Sequence, residues 1–185
     1  MLQHRSTNFN LDYCESFLTE DESKILFNTL SCILPIQKKR TAWLFGDAMT
    51  YKVSTKNYSM ERNPEPWLSC LLPIKEKLEK FIFLQYDEKI NFNVCVIQQY
   101  PNGKYGIDRH RDKEMTPGTI ICGISLGQQR NLVMSKYKTD VLTQPLKNGS
   151  LYVLLPPTND FYSHSIVKDT SLGVRFSLTF RNKKD

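Results

Sequence analysis

No apolar run in this chain approaches the ~20 residues that a membrane-spanning helix requires, so no helical span is expected. The N-terminus, Met-Leu-Gln-His-Arg, lacks the apolar core of a secretory signal. The five cysteines, Cys14, Cys32, Cys70, Cys95 and Cys122, are odd in number, widely spread and without a CxxC pair. That pattern argues against a disulfide framework or a zinc site and for small buried hydrophobes in a reducing, intracellular compartment. Internal repeats and low-complexity stretches are lacking too. Histidine is scarcer still, with three in the whole chain.

At 185 residues the chain is long enough for one domain, spanning 1–185, with a substantial core. Its 40% hydrophobic and 24% charged residues place it in the soluble globular class. A net charge of +6 suits a polyanionic partner, with nucleic acid the first choice.

Thr19-Glu20-Asp21-Glu22 has the pattern of a capping box, and Ile25, Leu26 and Leu30 supply the apolar stripe of a first helix. Leu71, Ile74, Leu78 and Phe81 mark a second, whose first turn lies at or near Pro73. Residues 1–18 read as a lead-in. From residue 91 the period changes to two: Phe92, Val94 and Val96 alternate with Asn93, Cys95 and Ile97, which predicts a strand with one strongly apolar face. Further strands are expected at Thr119–Leu126, Arg130–Tyr137, Gly149–Leu155 and Val174–Arg181, separated by Pro-, Gly- and Asn-rich turns. Helices followed by many short strands predict an α+β fold: a jelly-roll core, over about 91–182, with the N-terminal helices packed on one sheet.

Two of the three histidines fall where a mononuclear iron centre needs them. His110-Arg111-Asp112 offers an imidazole and a carboxylate two residues apart, on one face of an extended segment. His164, from a later strand, completes two nitrogens and one oxygen and leaves three metal positions open, as in the facial triad of non-haem Fe(II) oxygenases. In the last strand Val174, Phe176, Leu178 and Phe180 share one face, while Arg175, Ser177, Thr179 and Arg181 share the other. The polar face lines either solvent or a polar cavity.

His110-x-Asp112, His164 and Arg175-x5-Arg181 together resemble the AlkB family of Fe(II)- and 2-oxoglutarate-dependent dioxygenases, closest to the eukaryotic homologues that repair alkylated DNA. The resemblance covers roughly residues 40–182 and includes Phe45-Gly46-Asp47-Ala48, Pro66-Trp67, Tyr100, Pro117-Gly118 and Ser125-Leu126-Gly127. It implies the double-stranded β-helix form of the jelly roll, with His110, Asp112 and His164 ligating Fe(II). Arg175 is then expected to pair with the distal carboxylate of 2-oxoglutarate, and Arg181 to approach the carboxylate beside the keto group. Guanidinium suits both tasks because its planar fork meets a carboxylate with two charge-assisted hydrogen bonds. Tyr100 and Thr179 add hydroxyls. Gln98 and Ser177 stand where the family usually has asparagine, and complete the expected cosubstrate set. O2 is the second cosubstrate.

The implied reaction is oxidative demethylation of bases such as N1-methyladenine and N3-methylcytosine in DNA or RNA, with release of formaldehyde. The base must be flipped out of a duplex or come from a single strand. Residues about 36–60 correspond to the family's nucleotide-recognition lid. Arg40, with Lys38, Lys39 and Lys52, is expected to meet phosphates, Tyr51 and Val53 the extruded base, and Glu114 the cationic lesion. Valine at position 53 has no π face for stacking, which favours a single-stranded substrate. The enzyme is expected to be a monomer of the nucleus or cytoplasm. Two other readings stand beside it: the same chemistry on a protein side chain or tRNA, and a catalytically silent nucleic-acid-binding domain.

Overall fold

The computed structural model of the protein describes residues 10–47, 51–55, 58–113 and 118–182, the two strands within 51–62 by their backbone alone. Strand β1 (Leu11–Cys14) leads into helix α1 (Glu20–Ile33), followed by β2 (Thr41–Gly46), β3 (Tyr51–Thr55) and β4 (Tyr58–Arg62). Helix α2 (Leu72–Tyr86) precedes β5 (Val94–Tyr100), β6 (Ile107–His110), β7 (Ile121–Gly127), β8 (Arg130–Lys136), β9 (Thr139–Leu146) and β10 (Leu151–Leu154). A single helical turn, α3 (Thr158–Phe161), then β11 (Ser163–Ile166) and β12 (Arg175–Arg181) complete the chain. A six-stranded sheet, ordered β1-β10-β7-β12-β5-β2, faces a four-stranded sheet, ordered β6-β11-β8-β9, while β3 and β4 pair separately.

The two helices begin as their sequences dictate. Thr19 caps α1 in a complete capping box, its hydroxyl accepting from the Glu22 N–H while the Glu22 carboxylate accepts from the Thr19 N–H. Pro73 falls in the first turn of α2, where its missing N–H costs nothing. The buried faces differ from expectation at two positions. Ile25 is exposed, and Ser23, Leu26 and Leu30 form the buried stripe of α1. In α2 Ile82 takes the fully buried place expected of Phe81, which packs at the margin of the core and meets Phe17 edge to face.

The large sheet separates two cores. On its outer side Leu26, Leu30, Leu71, Leu78 and Ile82 of the helical layer pack on Phe176, Leu178 and Phe180 of β12 and their β5 and β7 neighbours. Between the sheets, Tyr100, Ile121, Tyr152 and Leu154 meet Leu132, Met134, Leu146 and Ile166. Strand β5 therefore does not carry the single apolar face read from its sequence. Cys95 and Ile97 face the helices and Val94 and Val96 the opposite side, because both faces of a central strand are covered. The supposed lead-in supplies an edge strand, β1, paired with β10. Thr41–Gly46, within the expected lid, is an edge strand of the large sheet, paired with β5. Leu78 is fully buried between α2 and the sheet. Leu78→Ala should cost about 2–5 kcal/mol, read as a lower urea midpoint with unchanged denaturant slope.

Candidate active site

Strand β12 is central, with β5 on one side and β7 on the other, and every residue in it is buried. Its polar face therefore points into the protein interior and not to solvent. The register sets Arg175 opposite Tyr100, Ser177 opposite Gln98, and Thr179 opposite Val96. On the other flank Ser177 faces Ser125 and Thr179 faces Gly123.

Arg175 is fully buried. Its Nε donates to the Ser125 hydroxyl at 2.8 Å, its Nη2 donates to the Ser177 hydroxyl at 3.2 Å, and its carbon centre lies 5.1 Å from the centre of the Tyr100 ring. Nη1 is buried with no acceptor in hydrogen-bonding geometry among the described residues. Burial lowers the Arg175 pKa, but an arginine stays cationic inside a protein. The site thus presents a buried guanidinium whose orientation is fixed by two serine hydroxyls and the Tyr100 ring. Tyr100 donates its hydroxyl proton to Gln98 Oε1 at 2.8 Å, and Arg40 Nη1 donates to the same oxygen at 3.1 Å. Burial raises the Tyr100 pKa and keeps the phenol protonated.

At the other end, β6 and β11 pair so that His110 and His164 are direct cross-strand neighbours, their rings 4.3 Å apart. Asp112 follows two residues after His110 and is buried. One donor atom from each of His110, Asp112 and His164 lies within 4.8 Å of the others. His110 Nδ1 is 2.8 Å from the Asp108 carbonyl oxygen, which can only accept. Nδ1 therefore donates to that carbonyl, which orients the ring so that Nε2 lies 3.5 Å from Asp112 Oδ1. Burial pushes the His164 pKa down to about 4, so this imidazole is neutral and free to ligate at neutral pH. Burial opposes ionisation of Asp112, but Arg181 and the two histidines outweigh it and lower its pKa. Two imidazoles and one carboxylate, converging at the edge of the buried polar face, fit a divalent transition metal.

Arg181, expected to approach the cosubstrate carboxylate beside the keto group, has its Nη2 3.0 Å from Asp112 Oδ2. It holds the acidic ligand in its anionic form. Arg40 and Gln98 are joined by the hydrogen bond described, and Thr179 is buried on the polar face of β12. Tyr51 and Val53 lie on β3, which pairs with β4, with no description of their side chains. Glu114 lies outside the described residues.

Three site residues escape a reading of the sequence. Tyr152 lies on β10 opposite Gly123, hydrogen-bonds Thr179, and has its pKa pushed up to about 12 by burial and then by Asp112. Its alternation with Leu151 and Val153 was visible in the sequence, but the face it serves depends on strand order. Arg130 caps the Tyr100 ring from 5.7 Å, and donates to the carbonyls of Asn102, Gly103, Tyr105 and Val167. Gln99 is buried on the opposite face from Gln98, accepting from Gln37 N–H and donating to the Leu34 carbonyl. It thereby ties the connection between α1 and β2, which carries Lys38-Lys39-Arg40, to β5. The Tyr152 ring packs where a Cβ on Gly123 would stand, 2.1 Å from its nearest atoms. Gly123→Ala should displace the ring, cost about 1–3 kcal/mol by overpacking, and weaken 2-oxoglutarate binding in an equilibrium titration.

The fold and this convergence of donors match one class. The chain belongs to the 2OG-Fe(II) oxygenase superfamily, whose model matches residues 29–181; the family uses ferrous iron, 2-oxoglutarate and dioxygen. Within it the chain is AlkB-like. It is 32% identical over 150 residues to the DNA oxidative demethylase ALKBH2 of Homo sapiens, covering 74% of this chain and 54% of that protein. It is 25% identical over 182 residues to uncharacterized protein R406 of Acanthamoeba polyphaga mimivirus, covering 95% of this chain and 90% of that protein. The solved structure of OsALKBH1 shares the fold, with a TM-score of 0.67 at 13% identity over 98% of this chain and 100% of that one. The chain spans about half the length of the curated animal relatives it matches. No helix among the described residues is long and apolar enough to cross a membrane.

Proposed function

We propose that this protein removes alkyl groups oxidatively from bases of DNA or RNA, of the N1-methyladenine and N3-methylcytosine type. The observation that carries the reading is the convergence of half-exposed His110 with buried Asp112 and His164 at one end of a buried polar face, with the guanidinium of Arg175 at the other. His110, Asp112 and His164 hold ferrous iron, which supplies, with 2-oxoglutarate and dioxygen, the oxidising power for hydroxylating an N-alkyl carbon. The hydroxymethyl product then collapses to formaldehyde and the unmodified base.

The chain's own residues do the rest. Arg175 binds the distal carboxylate of 2-oxoglutarate while Ser125 and Ser177 hold its fork in place. Tyr100 and Thr179 offer hydroxyls along the same face, beside the buried apolar side chains of Ile121 and Leu154. Arg181 keeps Asp112 ionised. Lys38, Lys39 and Arg40 are exposed beside β2, and the Arg40–Gln98 hydrogen bond brings that basic run to the cosubstrate end of β5. This supports entry of a phosphodiester strand there. Residues 36–60 form the nucleotide-recognition lid, a single strand is the preferred substrate, and the protein acts as a monomer. The relatives that are named DNA demethylases support a nucleic-acid substrate.

The test is an anaerobic mixture of protein, Fe(II) and 2-oxoglutarate to which oxygen is admitted, with succinate and formaldehyde followed with and without methylated single- or double-stranded oligonucleotides. Formaldehyde that appears only with methylated oligonucleotide supports the proposal. Succinate no higher than in His110→Ala would sink the enzyme reading. Stimulation by peptide alone would sink the substrate.

A further inference from the structure

Asp112 is the one member of the cluster outside a strand. Strand β6 ends at His110, so no ladder of main-chain hydrogen bonds holds Asp112 in place. One side chain does this instead. Asn159 Oδ1 accepts from the Asp112 N–H at 3.0 Å, and Asn159 Nδ2 donates to the Asp112 carbonyl at 3.0 Å. A single amide thus takes both main-chain groups of one residue, as an adjacent strand would. It fixes the peptide planes on either side of the Asp112 Cα and hence the direction of its Cβ.

Asn159 is itself anchored. Its neighbour Thr158 is buried, its hydroxyl accepting from the Asn10 N–H at 3.0 Å and donating to the Asn10 carbonyl at 3.2 Å. Asn10 Nδ2 in turn donates to the Pro156 carbonyl at 2.8 Å, and the Arg111 guanidinium donates to the Asp160 carbonyl. The turn bearing Asn159 runs directly into β11 and His164. Two segments distant in sequence, one bearing Asp112 and the other leading to His164, are therefore locked together at this amide.

We propose that Asn159 is a positioning residue that holds Asp112 in metal-binding geometry before the metal arrives. The inference rests on His110, Asp112 and His164 being the metal ligands. Residues that orient a ligand commonly govern metal affinity by 10–100-fold or so, and a two-point clamp on the ligand's main chain is a direct way to do it.

The experiment is a Mn(II) titration of the full chain, with free Mn(II) read by electron paramagnetic resonance, for wild type, Asn159→Ala, Asn159→Gln, Asn159→Asp and Asp112→Ala. Melting of each metal-free protein is measured in parallel. Asn159→Ala should weaken Mn(II) binding about 10–100-fold. Asn159→Asp keeps the acceptor for the Asp112 N–H but loses the donor to its carbonyl, and Asn159→Gln keeps the amide at the wrong length. Both should fall between Asn159→Ala and wild type. If Asn159→Ala fails to fold, the Gln and Asp variants decide the question. A lower melting temperature with wild-type Mn(II) affinity would overturn the proposal, since it would confine Asn159 to loop stability. Wild type binding Mn(II) no better than Asp112→Ala would instead overturn the ligand reading itself.

Discussion

Asp112→Asn should reduce 2-oxoglutarate turnover below about 1% of wild type while destabilising the fold, two losses with separate causes. The substitution preserves shape and removes charge. The carboxylate supplies the anionic donor in a cluster whose other members are imidazoles, so its loss weakens metal retention and the stabilisation a metal provides. Some 3 kcal/mol of lost stabilisation corresponds to about a hundredfold in rate. The second loss comes from Arg181, which lies 3.0 Å from Asp112 Oδ2 in a buried setting. Removing one partner of a buried ion pair costs about 3–5 kcal/mol, because the remaining charge stays buried without that carboxylate. Succinate assays at saturating Fe(II) read the first loss and urea denaturation of the metal-free protein reads the second. Asp112→Asn with wild-type stability would show that the Arg181 pairing contributes little. Wild-type turnover would remove Asp112 from the metal site.

Arg175→Ala should raise the concentration of 2-oxoglutarate needed for half-maximal turnover by about a hundredfold. Hydrogen bonds to charged groups contribute about 1.5–3 kcal/mol each, so losing one or two accounts for that factor. At high 2-oxoglutarate much of the maximal rate should return, since Arg175 binds the end of the cosubstrate remote from the reacting atoms. Arg175→Lys separates charge from shape. A lysine keeps one positive charge but cannot donate at once to Ser125, Ser177 and an incoming carboxylate through a rigid fork. It should bind more weakly than wild type and more tightly than alanine. An unchanged apparent affinity in Arg175→Ala would place the distal carboxylate elsewhere.

The chemistry-bearing residues were legible in the sequence because their spacing is short and their types are demanding. His110-x-Asp112 and the alternation of β12 each need only a few residues to be recognised, and a β period assigns their faces directly. The capping box at Thr19 and the proline at the start of α2 were legible for the same reason: each is a local rule with a local cause. What remained hidden depends on which strands become neighbours. Tyr152 reaches the site because β10 lies beside β7, and Gly123 leaves room for its ring. The two apolar faces of β5 follow from its central place between helices and the second sheet. Ile25 was misread because a helix of this amphipathic kind offers several nearly equivalent stripes, and packing against the sheet selects one. The short strands β6 and β11 carry little sequence signal, though they set the two histidines side by side.

Strand β6 is four residues long, lies at the rim of its sheet and, among the described residues, has β11 as its one strand neighbour. Its last residue, His110, faces His164 across that single pairing. A ligand grasped by both imidazoles is therefore also a cross-link between a sheet margin and the strand inside it. Loading the site and closing the margin become one linked equilibrium, in which each favours the other to the same extent. Starvation for the metal would then leave more than an idle catalyst: it would shift the population toward molecules whose rim is ajar.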